Sequence, residues 1–258
     1  MIPKIIHYCW FGKNKKPELV EKCISSWKKC CPDWEIVEWN ESNIDVSKIP
    51  FMQEAYEQKK WAFVSDVARL SILYQNGGVY LDTDVELLVD NPFDKYLKYT
   101  NILAFENERC INTGGFFGTE KESRLCTDML NSYIKIHYSK EQEIVNTQMN
   151  KPVLVAGFPT LKWNGKEQEM KDTLFIGVKE YGKLMKHYGI RSWCDNLPEY
   201  TLSKDNKIKK ILRNPTIFEK MEKTKIGKKI AKLYEFMVYD LLDMGVCYYL
   251  KRIWLKRR

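Results

Sequence analysis

The stretch GGVYLDTDVE, residues 77 to 86, constrains the chain most. A short apolar run, introduced by two glycines, ends on two aspartates one residue apart. In extended backbone, residues i and i+2 point to the same side. Asp82 and Asp84 can therefore converge on one point just beyond a strand. Carboxylates held that close repel each other and lose hydration when the strand end is buried, so a cation should compensate. Open α/β sheets collect ligands at the carboxyl ends of their strands. Two hard oxygen ligands there suit Mg²⁺ or Mn²⁺, which also bind substrate phosphates.

Elements of two kinds alternate around this point. PKIIHYCWF reads as a buried opening strand stopped by Gly12. Pro17 starts a helix, PELVEKCISSWKKCC, which ends at Pro32. WEIVEWN reads as a second strand. Pro50 opens one helical stretch that is expected to run through to Asn76, with Gly77 as its stop. Val79 to Leu81 forms the strand before the aspartates. NILAFE is a further strand, and KESRLCTDMLNSYIKIHY a further helix containing His137. The alternation predicts an α/β layered fold. Residues 150 to 200, rich in Gly, Pro and Trp, read as loop.

Composition narrows the class. With 258 residues, 44% of them hydrophobic, the chain can bury a sizeable core. Its eight cysteines form no C-x-x-C pair, so neither a zinc cluster nor a disulfide framework is implied, and a reducing cytoplasm is expected. The N-terminus lacks signal-peptide features. No segment supplies the roughly 20 apolar residues of a membrane span. The nearest, Leu233 to Leu250, contains Glu235, Asp240 and Asp243.

The net charge of +8 is unevenly placed: 16 of the 42 Lys and Arg, but only 6 of the 34 Asp and Glu, lie from Lys204 onward. This predicts a nearly neutral domain over residues 1–203 and a basic helical tail over 204–258. In the tail, Ile226, Ile230, Leu233, Met237 and Leu241 recur at helical spacing. Two readings stay open, an interfacial anchor on an anionic membrane and a helical pair packed on the core. No nucleic-acid motif accompanies the charge, and no nucleic acid is expected as a partner.

The chain has neither a G-x-x-x-x-G-K-[ST] loop nor a G-x-G-x-x-G fingerprint, so a bound diphosphate would rest on a metal and a few side chains. D-x-D alone also ends a strand in phosphatases of the haloacid-dehalogenase type. Those place the lead aspartate near the N-terminus and follow the second with x-[Thr/Val], where this chain has Val85-Glu86.

The wider context is more specific. KKWAFVSDVARLSILYQNGGVYLDTDVE, with IPKIIHYCWFG before it and INTGGFFG after it, resembles glycosyltransferases that carry the D-x-D motif. It is similar to family 32, which includes yeast-type α-mannosyltransferases and bacterial capsule-synthesis enzymes, and to the catalytic domain of clostridial glucosylating toxins. The resemblance covers roughly residues 1 to 200. It implies a GT-A type domain that transfers a sugar with retention, from a UDP-sugar, to a hydroxyl of a glycan or lipid-linked acceptor.

The same resemblance distributes roles. Asp84 would hold Mn²⁺ or Mg²⁺, and Asp82 would contact the ribose or a metal-bound water. Asp66 and Arg69, three apart on one helix face, would hold the donor sugar and phosphate, with Arg69, Asp82 and Asp84 as the catalytic set. Trp10 would stack on the nucleobase. Asn112 would orient sugar hydroxyls, helped by the glycines after it. Tyr80 either reaches the donor or packs. His187 as a metal ligand, and Ser192 and Trp193 as phosphate contacts, stand beside the alternative of loop packing. His7 is read as structural. The implied setting is a bacterial cytoplasmic enzyme of surface-polysaccharide assembly, peripheral at the inner face of the plasma membrane. A sugar-phosphate phosphatase and a non-catalytic membrane or glycan-binding module remain as alternatives.

Overall fold

The computed structural model describes residues 1–139 and 145–189. Ser192, Trp193 and the tail from 204 lie outside them, as does the boundary expected at 203. The strands are β1 (Ile5–Cys9), β2 (Glu35–Trp39), β3 (Gly78–Tyr80), β4 (Val85–Leu87), β5 (Asn101–Asn107), β6 (Cys110–Ile111), β7 (Phe117–Thr119), β8 (Gln168–Met170), β9 (Thr173–Ile176) and β10 (Met185–His187). The helices are α1 (Glu18–Cys30), α2 (Pro50–Glu57), α3 (Trp61–Asn76), α4 (Arg124–Ile134), α5 (Asn146–Gly157) and α6 (Val178–Leu184).

One sheet runs β2-β1-β3-β7-β5-β9-β8, with β6 paired to β5. β2, β1, β3, β5 and β9 point the same way, and β7 lies antiparallel between β3 and β5. The reversal matters for the site. The carboxyl ends of β1, β3 and β5 share an edge with the start of β7, so the turn leading into β7 is brought to the same place as Asp82.

Helices cover both faces, as the apolar alternation requires. In β5, Leu103 and Phe105 pack with Phe63, Val67 and Met129 of the helices on one side. Ile102 and Ala104 pack with Trp27 and Leu184 on the other. The expected α/β layering is therefore present. His7 is structural: it is 1% exposed, its Nε2 lies 2.9 Å from the Gly77 carbonyl, and its Nδ1 accepts from the Trp39 indole at 3.1 Å. Burial pushes its pKa down to about 4, so the ring is neutral.

Three expectations need correction. The stretch from Pro50 is two helices. The chain breaks after Glu57, where Lys59 takes φ 57°, and no Gly or Pro marks the break. His137 lies beyond the end of α4, where its Nδ1 stands 2.6 Å from Glu54 Oε1. Residues 146–187 hold two helices and three strands, because α5 continues through Pro152 and the strands are only three or four residues long. No helix among the described residues is long and apolar enough to cross a membrane.

Candidate active site

The two aspartates do converge, though by a turn and not by extended backbone. β3 stops at Tyr80, the Val85 N–H bonds back to the Asp82 carbonyl at 3.0 Å, and the chain resumes as β4. Asp82 stays on the α3 side, and Asp84 swings toward β10.

Each aspartate meets one of the protein's own cationic groups. Arg69 Nη2 lies 3.2 Å from Asp82 Oδ1 and 2.9 Å from Asp66 Oδ1. Its Nε donates to the Ser65 carbonyl at 3.0 Å, and its guanidinium sits 4.6 Å over the Tyr80 ring. Tyr80 is 1% exposed, so its ring underlies the arginine and is not open to a ligand. Asp66 also accepts from Asn146 Nδ2 at 2.9 Å, at the start of α5. Burial nonetheless pushes the Asp66 carboxyl up to about 6, against Arg69 and Asn146, which pull it down. Burial raises Asp82 as well; Arg69 opposes that and Asp84 adds to it.

His187 reaches Asp84 because β10 pairs antiparallel with β4, placing His187 opposite Val85. The pairing is pinned from several directions. The Tyr188 N–H donates to the Asp84 carbonyl at 3.0 Å, and the Tyr188 hydroxyl donates to Glu86 at 2.6 Å. Lys22 bonds both Glu86 and Tyr188 at 3.0 Å. The Trp27 indole holds the Val85 carbonyl at 2.7 Å.

Within this frame His187 Nε2 stands 3.2 Å from Asp84 Oδ1, and Nδ1 stands 2.9 Å from Glu106 Oε1. Burial works against a charged ring, yet the hydrogen bonds to Asp84 and Glu106 and their charges prevail. They push His187 up to about 11. A buried positive charge is what this pocket selects.

The residues fit a divalent ion. Asp82, Asp84 and His187 offer ligand atoms within 4.8 Å of one another. Adjacent ligands of a small divalent cation, each about 2.0–2.2 Å from it, stand roughly 3 Å apart. Beside this set, Arg69 Nη1 is buried without a hydrogen-bond partner, a cost that structures normally avoid unless a ligand or water supplies one. Gly114 packs directly against this group and leaves no room for a side chain of its own. A Cβ there would run into Arg69 Nη1 and lie 2.5 Å from Asp82 Oδ2.

Asn112 organises this turn. Its Oδ1 accepts from the Gly114 N–H at 2.9 Å, its Nδ2 donates to Glu106 at 3.1 Å, and the Gly114 carbonyl accepts from the Asp82 N–H at 3.0 Å. Trp10 follows β1 at the same sheet edge, half-buried, with its indole donating to the Asn14 carbonyl at 2.7 Å.

Residues 17–103 match a family model described as "Glycosyltransferase sugar-binding region containing DXD motif". Over this segment, about a third of the chain, the sequence is similar to the sugar-binding region of DXD glycosyltransferases. It contains Asp66, Arg69, Asp82 and Asp84. The chain is similar to "Inositol phosphoceramide mannosyltransferase 3" of Schizosaccharomyces pombe, 36% identical over 33% of this chain and 24% of that one. It is also similar to "Inositol phosphoceramide mannosyltransferase 1" of the same organism, 34% identical over 46% of this chain and 39% of that one. The alignments thus span well under half the length of these relatives. In fold it is similar to "PaToxG Glycosyltransferase", with a TM-score of 0.50 over 61% of this chain and 70% of that chain at 16% identity. The GT-A type expected from the resemblance is the fold observed.

Reading the sequence missed Glu106 and Asn146. Neither lies in a motif; the sheet order and the start of α5 bring them in. Two glycines after an asparagine were the one legible signal, since they mark a turn approached closely from both sides. Gly114 faces Arg69, and Gly115 faces His187, whose Nδ1 would be 3.3 Å from an added Cβ.

Proposed function

We propose that this chain is a metal-dependent glycosyltransferase that moves a sugar from a nucleoside diphosphate donor to a hydroxyl of a glycan or lipid-linked acceptor. The observation that carries the reading is the convergence of Asp82, Asp84 and His187 beside the unpartnered Arg69 Nη1, within and next to the matched sugar-binding region.

Asp84, His187 and Asp82 would hold Mn²⁺ or Mg²⁺. The mixed carboxylate and imidazole set suits Mn²⁺ better than the all-oxygen preference of Mg²⁺. Such an ion neutralises the charge that builds on a departing diphosphate. Arg69 would meet the donor phosphate through its unpartnered Nη1, and its position is fixed before the ligand arrives by Asp66, Asp82 and Ser65. Groups already aimed at developing charge need little reorganisation. Asp66 presents a carboxylate to sugar hydroxyls, and Trp10 a flat ring to the base.

Retention of configuration and a UDP-linked donor are proposed on the family resemblance. In a same-face reaction the bond from the anomeric carbon to the diphosphate breaks as the acceptor oxygen bonds to that carbon, and the diphosphate takes the acceptor's proton. The names of the two yeast relatives favour a hexose, specifically mannose, and a lipid-borne acceptor. A peripheral position on a cytoplasmic membrane face, through the basic tail, and a role in surface-polysaccharide synthesis complete the proposal.

The test is nucleotide release from UDP- and GDP-hexoses with Mn²⁺, with Mg²⁺ and with EDTA. Metal-dependent turnover of one of them supports the reading. Phosphate release from sugar phosphates, without nucleotide turnover, would replace it with the phosphatase.

A further inference from the structure

Glu106 is a carboxylate that neither the matched region nor the D-x-D motif includes. It lies at the end of β5, where the pairing with β6 shifts register between Phe105 and Asn107. A bulge of this kind re-aims a side chain, and bulges concentrate beside active sites. Both of its oxygens are engaged: Oε1 stands 2.9 Å from His187 Nδ1, and Oε2 accepts from Asn112 Nδ2 at 3.1 Å.

A neutral imidazole has one donor nitrogen and one acceptor. Without a metal the charged ring donates from both nitrogens; a carboxylate facing Nδ1 commits that nitrogen to keeping its hydrogen, so the proton a metal displaces is the one on Nε2, whose lone pair then faces Asp84 Oδ1, 3.2 Å away. A lone pair facing a carboxylate oxygen is unfavourable unless a positive centre sits with them. The arrangement thus makes His187 a ligand through Nε2 only. The second bond, through Asn112, ties this orientation to the turn whose Gly114 borders Arg69 and Asp82.

We propose that Glu106 is the positioning residue of the metal centre. It fixes which nitrogen of His187 faces the ion and couples that choice, through Asn112, to the wall of the donor site. The inference rests on Asp82, Asp84 and His187 binding a divalent cation. A ligand's outer partner of this type is worth about 10–100-fold in metal affinity.

The experiment is calorimetric titration of Mn²⁺ alone into the full chain, for wild type, Glu106→Gln, Glu106→Leu and Asp84→Ala. It is paired with pulsed electron-spin-echo detection of ¹⁴N coupling to the bound Mn²⁺ and with a thermal melt of each variant. Wild type should bind Mn²⁺ with a ¹⁴N coupling, and Asp84→Ala should bind little. Glu106→Gln keeps an oxygen that can accept from Nδ1–H but loses the charge, so it should bind about tenfold more weakly and keep the ¹⁴N signal. Glu106→Leu should bind more weakly still and lose that signal while melting as a folded protein.

Equal affinity and unchanged ¹⁴N coupling in all Glu106 variants would overturn the positioning role while leaving the metal site standing. A ¹⁴N coupling retained in Glu106→Leu alongside near-complete loss of binding would overturn it in favour of Glu106 as a direct ligand. Absence of Mn²⁺ binding in wild type would remove the metal site and the positioning role together.

Discussion

Gly114→Ala is the most discriminating perturbation of the site, because it adds one methyl group and removes no functional atom. The new Cβ would stand 2.5 Å from Asp82 Oδ2, 3.1 Å from Asn112 Oδ1 and inside contact range of Arg69 Nη1. Restoring ordinary contacts of about 3.5 Å needs displacements of roughly 1 Å. Arg69 cannot yield freely. Its side chain is 3% exposed, bonded to Ser65 and paired with Asp66 and Asp82. The methyl group would also have to displace the one guanidinium nitrogen that has no hydrogen-bond partner.

Overpacking of this kind costs about 1–3 kcal/mol. For a domain near 190 residues that corresponds to a fall in Tm of roughly 2–4 °C per kcal/mol. Activity should suffer far more, since misplacement by about 1 Å can cost 10²-fold. The companion variant Gly115→Ala meets Tyr181 Oη at 3.1 Å and His187 Nδ1 at 3.3 Å, contacts that small side-chain shifts relieve. The assay is kcat/KM for donor turnover together with Kd for the nucleoside diphosphate and a melt of each protein. Gly114→Ala should lose about 10²-fold in kcat/KM, and Gly115→Ala several-fold less. A Gly114→Ala enzyme within threefold of wild type would refute the claim that close packing of Arg69 and Asp82 against the Gly114 backbone sets the geometry of the donor site.

Other consequences are testable in the same protein. Arg69→Met strips the partner from two carboxylates and should destabilise the fold at pH 7 by about 3–5 kcal/mol in urea unfolding. Because burial already holds Asp66 up at about 6, protonation should shrink that penalty at pH 5, and an equal penalty at both pH values would contradict the pairing. His187 is held at about 11 in the metal-free protein, above its unfolded value near 6.5. Its contribution to stability is therefore complete below about pH 6.5 and lost as pH rises toward 11. In EDTA, wild type should lose stability over that window more steeply than His187→Gln, and saturating Mn²⁺ should flatten the slope; matching slopes in EDTA would count against the ring's charge. Metal binding should also release a proton, read as a buffer-dependent heat. A chain ending at residue 203 should lose binding to anionic vesicles, since each basic residue near such a surface contributes about 1 kcal/mol; equal binding by the shortened chain would remove the anchor.

Much of the site was legible because its parts are local. The i, i+3 spacing of Asp66 and Arg69 and the one-residue gap between Asp82 and Asp84 are local statements; α3 formed as its pattern required, while the aspartates converge through a turn after β3. Their meeting was legible only through the general rule that ligands gather at strand ends. Glu106 and Asn146 were not legible, because their roles depend on β7 inserting between β3 and β5 and on α5 delivering its first residue to Asp66. His187 was readable as a candidate, but its partner strand was not. β4 and β10 have three residues each, too short for alternation to show. The break at Lys59 is illegible for a related reason: nothing in EQKKW marks a turn, although Lys59 takes φ 57° there. The loop expected over residues 150 to 200 fails in its described part because Pro152 is ordinarily a helix breaker, whereas here the helix carries it.

The central claim is that the aspartate pair and His187 hold a divalent ion that in turn holds a nucleoside diphosphate. Calorimetric titration of UDP, GDP and UMP into the full chain, with and without Mn²⁺, tests it most directly. One diphosphate should bind only with Mn²⁺, UMP should bind much more weakly, and Asp84→Ala should abolish the difference. Nucleotide binding of equal strength without metal, or none under either condition, would contradict the account.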